Sequence, residues 1–367
     1  MTGFHWSARS SVDFGAGKIA DLGAHARALG FEHSLLVADA GVIQAGLVDR
    51  AARALAVKGI TSWVFDGFGE NPDSVMVEAG RLFAEPLGVD SIIGVGGGSS
   101  MDCAKGINFV LTNGGRMQDY WGYGKASKAM LPMIGIPTTT GTGSEAQSYT
   151  LISDADTHVK MACGAPGAAF RLVILDPELV VSQPPKVLAA AGYDAVSHAV
   201  ESFVTANHNH ISDCFSRESW RLLSSSFERL LADPGCIQAA SNMQVGAYLA
   251  GCAIECSMLG AAHACANPLT ARHGTVHGVA IALLLRHVVE WNRPSVEALY
   301  RELHADLPAR LEELALAASL PRRLRDIGID PGEITLLAED ASKQWTGRFN
   351  PRPFDASAAQ EIYQCAY

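Results

Sequence analysis

The stretch SIIGVGGGSSMDCAKGIN, residues 91–108, decides the fold, because a run of glycines in it joins an apolar strand to a helix. Ser91–Gly96 is continuous and apolar, as buried parallel strands tend to be, and Asp102–Asn108 has helical character. Backbone N–H groups in such a turn can approach a phosphate closely, and the helix N-terminus adds partial positive charge. The spacing is neither the G-x-G-x-x-G of a Rossmann turn nor a Walker loop, so a plain tight turn remains the alternative.

Strand and helix patterns alternate on both sides of this stretch. Further apolar or β-rich runs predict the strands Ser34–Asp39, Thr61–Phe65, Met133–Ile136 and Leu172–Leu175, and helical patterns cover Gln44–Ala56 and Ser74–Phe83. Strands that alternate with helices indicate a parallel sheet with helices on both faces.

The sequence pattern changes after Asp176-Pro177, where runs typical of strands become rare. The remaining half predicts helices over His198–Ala206, Ser216–Ala232, Ala239–Ile254, Val276–Trp291 and Leu307–Ala318, and a last helix within Pro351–Tyr367. We therefore predict two domains: a Rossmann-like, dinucleotide-binding α/β domain over residues 1–181, and an all-α domain over residues 182–367.

A second loop strengthens the case for a nucleotide site. Pro137–Glu145 is rich in Gly and Thr and follows the next predicted strand, at what would be the same edge of the sheet. Ligands of open α/β sheets bind along that edge. Asp39 ends its strand near the glycine run, where a carboxylate can accept hydrogen bonds from ribose hydroxyls and repel a 2′-phosphate, which favours NAD over NADP. A helix-capping role for Asp39 is the alternative.

Polar side chains in the second half form a candidate metal site. Asp194 and His198 are four residues apart in a helical segment, so both point from one face. His263 and Asn267 repeat that spacing, and His277 follows. One carboxylate and three imidazoles suit a borderline divalent ion such as Fe²⁺ or Zn²⁺. Each His alone could equally be a hydrogen-bonded residue of the core or surface.

Bulk composition excludes several classes of protein. The chain has 367 residues, 48% hydrophobic and 18% charged, which supports large buried cores and argues against disorder. A net charge of -10 without a long basic run argues against nucleic-acid binding. No apolar run reaches the eighteen or so residues of a membrane span, and Met1–Asp13 lacks the pattern of a signal peptide. We expect a cytoplasmic protein with neither a nucleic-acid nor a membrane partner.

The eight cysteines are spread along the chain rather than concentrated. A small secreted scaffold would show a denser pattern, so reduced thiols in a cytoplasmic protein are expected. Because the chain has no CxxC pair, a zinc site built from thiolates is disfavoured.

The segments described so far resemble those of the iron-containing (group III) alcohol dehydrogenases, relatives of lactaldehyde reductase, 1,3-propanediol dehydrogenase and glycerol dehydrogenase. The matching runs span most of the chain in the order of the family: GVGGGSSMDCAKGI, IPTTTGTGSEA, ILDPELV, AAGYDAVSHAVESF, His263–Gly278 and the closing NPRP at Asn350–Pro353. The resemblance implies the two-domain architecture shared with dehydroquinate synthase, with the active site in the cleft between the domains, and a homodimer.

The resemblance also assigns roles to individual residues. It makes Asp194, His198, His263 and His277 the metal ligands, with iron as the expected metal and zinc as the alternative. It places Gly97, Gly98 and Ser99 on the pyrophosphate and Asp39 on the adenosine ribose. The other positions that line the cofactor in the family correspond here to Asn71, Thr138, Thr139, Thr142, Tyr149, Lys160 and Leu179.

One departure concerns the position four residues after the third ligand. The family usually carries His there, in the run HAxxHP, whereas this chain has Asn267 in HACANP. An amide can donate and accept hydrogen bonds but cannot titrate, so a proton relay must use another group or solvent. His273 is the predicted candidate, with an exposed loop residue as the alternative. Asn267 and His273 are therefore the candidate catalytic residues.

The implied function is the interconversion of a small alcohol and an aldehyde or ketone by hydride transfer to or from NAD, with the metal acting as Lewis acid. A lyase of the dehydroquinate synthase type, which also uses NAD and a metal, is one alternative. A metal-independent reductase of the same fold acting on an acid substrate is another. A non-enzymatic metal- or nucleotide-binding protein is the third, and the ligand quartet beside the phosphate loop argues against it.

Overall fold

The computed structural model describes Phe4 and residues 6–367, and these residues form two compact units. Residues 1–3 and 5, part of the segment in which no signal peptide is expected, lie outside the described residues. The α/β unit comprises residues 7–139 and 143–183, and the helical unit contains residues 140–142 and 184–367. The chain enters the helical unit for the last time between Gln183 and Pro184.

Nine strands build the two sheets of the α/β unit. They are β1 (Ser11–Phe14), β2 (His33–Val37), β3 (Thr61–Phe65), β4 (Ser91–Gly96), β5 (Gly122–Tyr123), β6 (Met133–Pro137), β7 (Tyr149–Ser153), β8 (Lys160–Gly164) and β9 (Leu172–Leu175). Six of them form a sheet in the order β1-β9-β6-β4-β2-β3, with every pair parallel. The predicted parallel sheet is therefore confirmed. A smaller sheet, β5-β8-β7, was not predicted.

Six α-helices accompany these strands: α1 (Leu22–Ala28), α2 (Ala40–Gln44), α3 (Leu47–Val57), α4 (Ser74–Ala84), α5 (Gly98–Asn113) and α6 (Pro177–Val180). The apolar core includes Leu36, Ile93, Ile134 and Ile174 from four parallel strands. This burial fits their Ile-, Leu- and Val-rich sequences.

Two predicted helices differ from the observed ones. The single helix predicted over Gln44–Ala56 is wrong, because Gly46 has a φ of 73° and separates α2 from α3. That left-handed conformation favours glycine and ends a right-handed helix. The helix after the glycine run begins at Gly98 rather than at Asp102, so Gly98 and Ser99, two of the three residues predicted on the pyrophosphate, already belong to its first turn.

The helical unit contains eight α-helices: α7 (Pro185–Val204), α8 (His210–Ala232), α9 (Ile237–Ser257), α10 (Ala261–His273), α11 (His277–Leu303), α12 (Leu307–Ala317), α13 (Ile334–Ser342) and α14 (Ala356–Ala366). The predicted helical character of this half is confirmed. The helix predicted to begin at His198 begins at Pro185 instead, where proline suits the first helical position.

No single helix among the described residues is both long and apolar enough to cross a membrane, although α9 and α10, bent by 106° to each other, would pass as a pair. All eight cysteines are described, and none of them forms a disulfide.

Candidate active site

Four side chains of the helical unit converge on one point. Asp194 and His198 lie one turn apart on α7, His263 lies in the first turn of α10, and His277 begins α11. Asp194 Oδ1 is 3.6 Å from His198 Nε2, 3.7 Å from His263 Nε2 and 3.8 Å from His277 Nε2. The Nε2 atoms of His198 and His263 are 3.1 Å apart. Three elements distant in sequence thus bring together the four residues predicted as metal ligands.

The measured separations, 3.1–3.8 Å, bracket those expected of ligands that share one metal ion. Atoms bound at about 2.0–2.2 Å to one tetrahedral ion lie roughly 3.3–3.6 Å from each other. Asp194 Oδ1 is buried and has no hydrogen-bond partner among the described residues, because the ring nitrogens stay beyond hydrogen-bond distance. A buried carboxylate oxygen is costly without a partner, and a divalent cation at this point would supply one. Asp194, His263 and His277 also meet the general geometry of a metal-binding group.

The pKa values of Asp194, His198 and His263 depend on burial and on the charges of the neighbouring side chains. Burial alone raises the pKa of Asp194, but the imidazoles of His198, His263 and His277 outweigh burial and lower it. Burial lowers the pKa of His198, against the pull of Asp194. Burial also acts to lower the pKa of His263, but Glu201 and Asp194 prevail and raise it to about 9. The site therefore attracts positive charge, from protons or from a metal.

Sequence reasoning missed one acidic residue beside this cluster. Glu201 is 4% exposed, and its Oε2 contacts His263 Nδ1 at a short distance. Its other oxygen, Oε1, accepts a hydrogen bond from the backbone N–H of Ala262 at 2.7 Å. A signal was available in the sequence: Glu201 follows Asp194 by seven residues and His198 by three, so all three share one face of α7.

The glycine run of the α/β unit forms a cradle with little space for additional side chains. Gly96 has a φ of 144°, and a Cβ there would lie 2.8 Å from Ser100 Cβ and 3.3 Å from Asp39 Oδ2. Gly97 would place a Cβ 3.2 Å from the side chain of Thr139. The cradle leaves the backbone at the start of α5 partly exposed, as close approach by a phosphate requires.

Asp39 caps helix α2 and also contacts the residue Ser100 that follows the glycine run. Its Oδ1 accepts hydrogen bonds from the N–H groups of Gly41 and Val42, and its Oδ2 accepts one from Ser100 Oγ at 3.2 Å. The helix-capping alternative is thus present in the structure. The carboxylate also lies at the glycine run, where a ribose contact was predicted.

The structure connects three further residues of the predicted nucleotide site. Asn71 has a φ of 53°, its N–H donates to Ser99 Oγ at 3.3 Å, and its Oδ1 accepts from Lys160 Nζ at 3.0 Å. Through Asn71, Lys160 is therefore connected by hydrogen bonds to Ser99 at the start of α5. Gly98 starts that helix beside Ser99.

The remaining predicted cofactor residues occupy varied environments. Thr138 is buried, its N–H donating to Gly96 O at 2.9 Å, and Tyr149 packs its ring 5.2 Å from that of Tyr123. Leu179 is fully buried among the apolar core residues of the α/β unit, so its observed contacts are those of packing. Thr142 is exposed and groups with the helical unit.

Comparisons with known proteins agree with both halves of this description. Residues 10–177 match the model of the iron-containing alcohol dehydrogenase family, and residues 188–367 match the C-terminal model of the same family. The chain belongs to the iron-containing alcohol dehydrogenase family. The predicted alcohol–aldehyde oxidoreductase activity is thereby confirmed.

Individual relatives cover nearly the whole dehydrogenase. Alcohol dehydrogenase 4 of Schizosaccharomyces pombe is 34% identical over 92% of this chain and 83% of its own length. The crystal structure of a 1,3-propanediol oxidoreductase is 30% identical, with a TM-score of 0.94 over 97% of this chain and 98% of that one. A sulfoacetaldehyde reductase of Bifidobacterium kashiwanohense, solved in complex with NAD⁺, is 26% identical, with a TM-score of 0.91 over 100% of this chain and 99% of that one.

A buried lysine organises the second Gly/Thr-rich loop of the dehydrogenase. Lys105 is fully buried on α5, and its Nζ donates to the carbonyl oxygens of Ser144, Gln147 and Tyr149 at 2.7, 2.9 and 2.7 Å. Ser144 Oγ in turn donates to Asp102 Oδ1 at 2.7 Å. A buried ammonium requires such partners, so this network fixes the loop to the helix that begins at the glycine run.

Glu145 should give the free energy of unfolding a distinctive pH dependence. Burial raises the pKa of Glu145 from 4.5 to about 7. Between these values the native state holds a proton that the unfolded chain has released, so stability falls as pH rises from about 4.5 to 7. Glu145→Gln removes this effect and should raise the free energy of unfolding at pH 8 by about 1–3 kcal/mol relative to wild type.

Urea unfolding at pH 5, 6, 7 and 8 measures this difference. The exposed Glu70→Gln serves as the control and should leave the pH profile of the free energy unchanged. A Glu145→Gln profile parallel to that of wild type would show that Glu145 is not protonated in the native enzyme.

The two candidate catalytic residues on α10 have partners in the helical unit. Asn267 Nδ2 donates to Gln344 Oε1 at 3.1 Å. His273 is exposed at the end of the helix, with Nε2 3.5 Å from Glu333 Oε2. Its neighbour Arg272 forms a salt bridge with Asp340, so the guanidinium already has a carboxylate partner.

Proposed function

We propose that this dehydrogenase holds a divalent metal ion, Fe²⁺ or alternatively Zn²⁺, at Asp194, His198, His263 and His277, and uses NAD as its hydride carrier. The observation that carries the proposal is the convergence of three imidazole nitrogens within 3.6–3.8 Å of one buried carboxylate oxygen. The donor set, three nitrogens and one oxygen, suits either metal.

The metal ion, the nicotinamide and the side chains of the protein have different proposed roles. When bound, the ion polarises the substrate oxygen as a Lewis acid, and the nicotinamide exchanges a hydride with the substrate carbon. The chain supplies the buried donor set that holds the ion. We propose that Asn267 orients the substrate or the cofactor by hydrogen bonding, because its amide can donate and accept but cannot titrate. The imidazole of His273 is proposed to exchange the proton with solvent.

The proposed nucleotide site uses the glycine run and the residues tied to it. Gly97, Gly98 and Ser99 would receive the pyrophosphate at the start of α5, and Asp39 would accept hydrogen bonds from a ribose. Thr138, Thr139, Thr142, Tyr149, Lys160 and Leu179 complete the proposed set, together with Asn71. Support comes from the Asn71, Ser99 and Lys160 contacts and from the carboxylate of Asp39 beside the loop. The NAD⁺ complex of the related sulfoacetaldehyde reductase is consistent with this carrier.

The direct experiment uses enzyme stripped of metal and reconstituted with Fe²⁺ or Zn²⁺ under anaerobic conditions. A panel of small aldehydes is then assayed with NADH and with NADPH. We expect turnover that depends on the restored metal and proceeds faster with NADH. Equal turnover by stripped and reconstituted enzyme would refute the metal-dependent part of the proposal.

Asp39→Asn should weaken the discrimination between the two cofactors. Asparagine can keep the cap of α2 through its side-chain oxygen but lacks the charge that repels a 2′-phosphate. We expect the ratio of kcat/KM for NADH to that for NADPH to fall about tenfold, corresponding to roughly 1.4 kcal/mol. Steady-state kinetics with one aldehyde and both cofactors give the ratio.

Asp355→Asn is the matched control, because Asp355 caps α14 by accepting a hydrogen bond from Ala358 N–H at 2.9 Å. The control should leave the cofactor ratio unchanged. If Asp39→Asn also leaves it unchanged, the carboxylate does not read the ribose and its role is capping alone.

We also propose that the enzyme works as a homodimer in the cytoplasm. The eight free cysteines suit a reducing compartment. Sedimentation equilibrium tests the oligomeric state: a mass near 78 kDa, about twice the 38.8 kDa chain, is expected, and a mass of one chain would contradict it.

A further inference from the structure

We propose that Glu201 is a positioning residue of the metal centre: it holds His263 in the Nδ1–H tautomer and thereby sets the affinity of the cluster for a divalent cation. The inference rests on the proposed metal site and extends it beyond the four ligands. Glu201 would touch neither the ion nor the substrate, and its action would pass entirely through His263.

The position of Glu201 on α7 connects two ligand-bearing helices. It lies on the face that carries Asp194 and His198, and its carboxylate reaches the start of α10. Oε1 accepts from the N–H of Ala262, and Oε2 contacts Nδ1 of His263, the next residue. Both contacts fall on consecutive residues of one helix. The carboxylate therefore fixes where that helix begins and how the His263 ring is turned.

The surroundings leave Glu201 little freedom. The first N–H group of α10, that of Ala261, donates to Asn350 Oδ1 at 3.2 Å, and the second, that of Ala262, donates to Glu201. Asn350 Oδ1 also accepts from Asn292 Nδ2 at 3.0 Å. A Cβ on Gly260 would lie 3.1 Å from Glu201 Oε1 and 2.9 Å from Asn350 Oδ1. The partial positive charge of the N-terminus of α10 also attracts a carboxylate at this place.

The tautomer follows from this arrangement. A carboxylate whose Oε1 already accepts from Ala262 acts as an acceptor at Oε2 as well, so His263 Nδ1 carries the proton that it donates. The lone pair of the neutral ring then lies on Nε2, which faces Asp194 Oδ1 at 3.7 Å and His198 Nε2 at 3.1 Å. A histidine ligand whose other nitrogen donates to a carboxylate is both oriented and made more basic.

The charge of the buried group, with Glu201 included, matches that of one divalent cation. Asp194 and Glu201 are each 4% exposed, and together they carry two negative charges. Three neutral imidazoles add none, so one divalent cation neutralises the buried group. Glu201 contacts His263 directly, whereas it acts on His198 only through its charge. Removal of the Glu201 charge should therefore weaken cation binding through His263 in particular.

Glu201→Gln tests the inference, with Asp213→Asn as its matched control. Glutamine has almost the same shape, but its one oxygen can replace only one of the two carboxylate oxygens, and the NH2 group that replaces the other donates instead of accepting. Asp213 is likewise a buried carboxylate, 3% exposed, whose Oδ1 lies 3.0 Å from His208 Nδ1. Asp213→Asn therefore removes a comparable carboxylate–imidazole pair, between α8 and the residue His208 that precedes it, without touching the metal cluster.

Cobalt affinity is the primary measurement. Stripped wild-type, Glu201→Gln and Asp213→Asn enzymes are titrated with Co²⁺ against a competing chelator and followed by the visible absorption of the bound ion. We expect Glu201→Gln to bind Co²⁺ about 10–100-fold more weakly than wild type and Asp213→Asn to stay within threefold. In Zn²⁺-loaded enzyme labelled with ¹⁵N-histidine, one hydrogen-bonded Nδ1–H resonance of the wild type should be absent from Glu201→Gln.

Each outcome separates the two levels of the proposal. A wild-type enzyme that binds no Co²⁺ would remove the metal site itself. A wild type that binds Co²⁺ while Glu201→Gln matches it within threefold, or keeps the same Nδ1–H resonance, would overturn the role of Glu201 alone. If Glu201→Gln does not fold, Glu201→Asp replaces it. Its shorter side chain keeps the charge at α10 but cannot reach both partners, and we expect at least a fivefold loss of Co²⁺ affinity, whereas unchanged affinity would overturn the inference.

Discussion

Replacing His263 by alanine should remove the bound metal and lower kcat/KM for alcohol oxidation by about 10³-fold or more. His263 Nε2 lies 3.1 Å from His198 Nε2 and 3.7 Å from Asp194 Oδ1, so it is in the middle of the donor set. A Lewis acid at a reacting oxygen is worth several kcal/mol, and about 4 kcal/mol corresponds to a thousandfold in rate. Metal content by mass spectrometry and steady-state kinetics measure the two losses.

His277→Ala should have a smaller effect on metal content. Its side chain is 24% exposed, against 6% for His263, so water can replace its nitrogen more readily. His287→Gln is the control, because His287 is a buried histidine of α11 that lies outside the cluster. The control should keep both metal and activity. Full metal content in a folded His263→Ala enzyme would remove that residue from the site.

The sequence predicted the central sheet well because its buried strands have continuous apolar runs. Ser91–Gly96, buried at every position, was predicted with the observed bounds. Thr61–Phe65 was also predicted with the observed bounds, although only Phe65 is buried there, because its Thr, Trp, Val and Phe favour strands. The strand Ser11–Phe14 was missed, since three of its four residues are exposed and it shows no apolar run. It becomes a strand only by pairing with Leu172–Leu175, a contact between distant parts of the chain. Local periodicity cannot reveal such pairing.

The candidate site, too, could be predicted from local sequence only in part. The spacing of Asp194 and His198 indicated one helical face, but only the resemblance joined them to His263 and His277. Glu201 escaped notice because a Glu three residues after a His is ordinary on any helix. Its role depends on where the N-terminus of α10 lies against α7, and no pattern within either helix determines that packing.

Gly278→Ala should be the most damaging single-methyl change near the metal cluster. A Cβ on Gly278 would lie 2.6 Å from the carbonyl carbon of Ala190 and closer still to its oxygen. These are backbone atoms of α7, so the start of α11 must move away by about 1 Å. Asp194 follows Ala190 by one turn, and His277 precedes Gly278, so the displacement separates two predicted ligands that are now 3.8 Å apart. A misplacement of this size can cost about 100-fold in rate.

Overpacking alone should cost roughly 1–3 kcal/mol of unfolding free energy, and a control must separate that loss from the displacement of His277. Gly246→Ala provides it, because a Cβ there would meet the side chain of Leu223 at 2.8 Å, and a side chain can rotate away. We expect both variants to unfold at lower urea concentration, but only Gly278→Ala to lose Co²⁺ affinity, down to the level of His277→Ala. Wild-type affinity in Gly278→Ala would mean that α11 relieves the clash without moving His277, and the close contact with Ala190 would then serve packing alone.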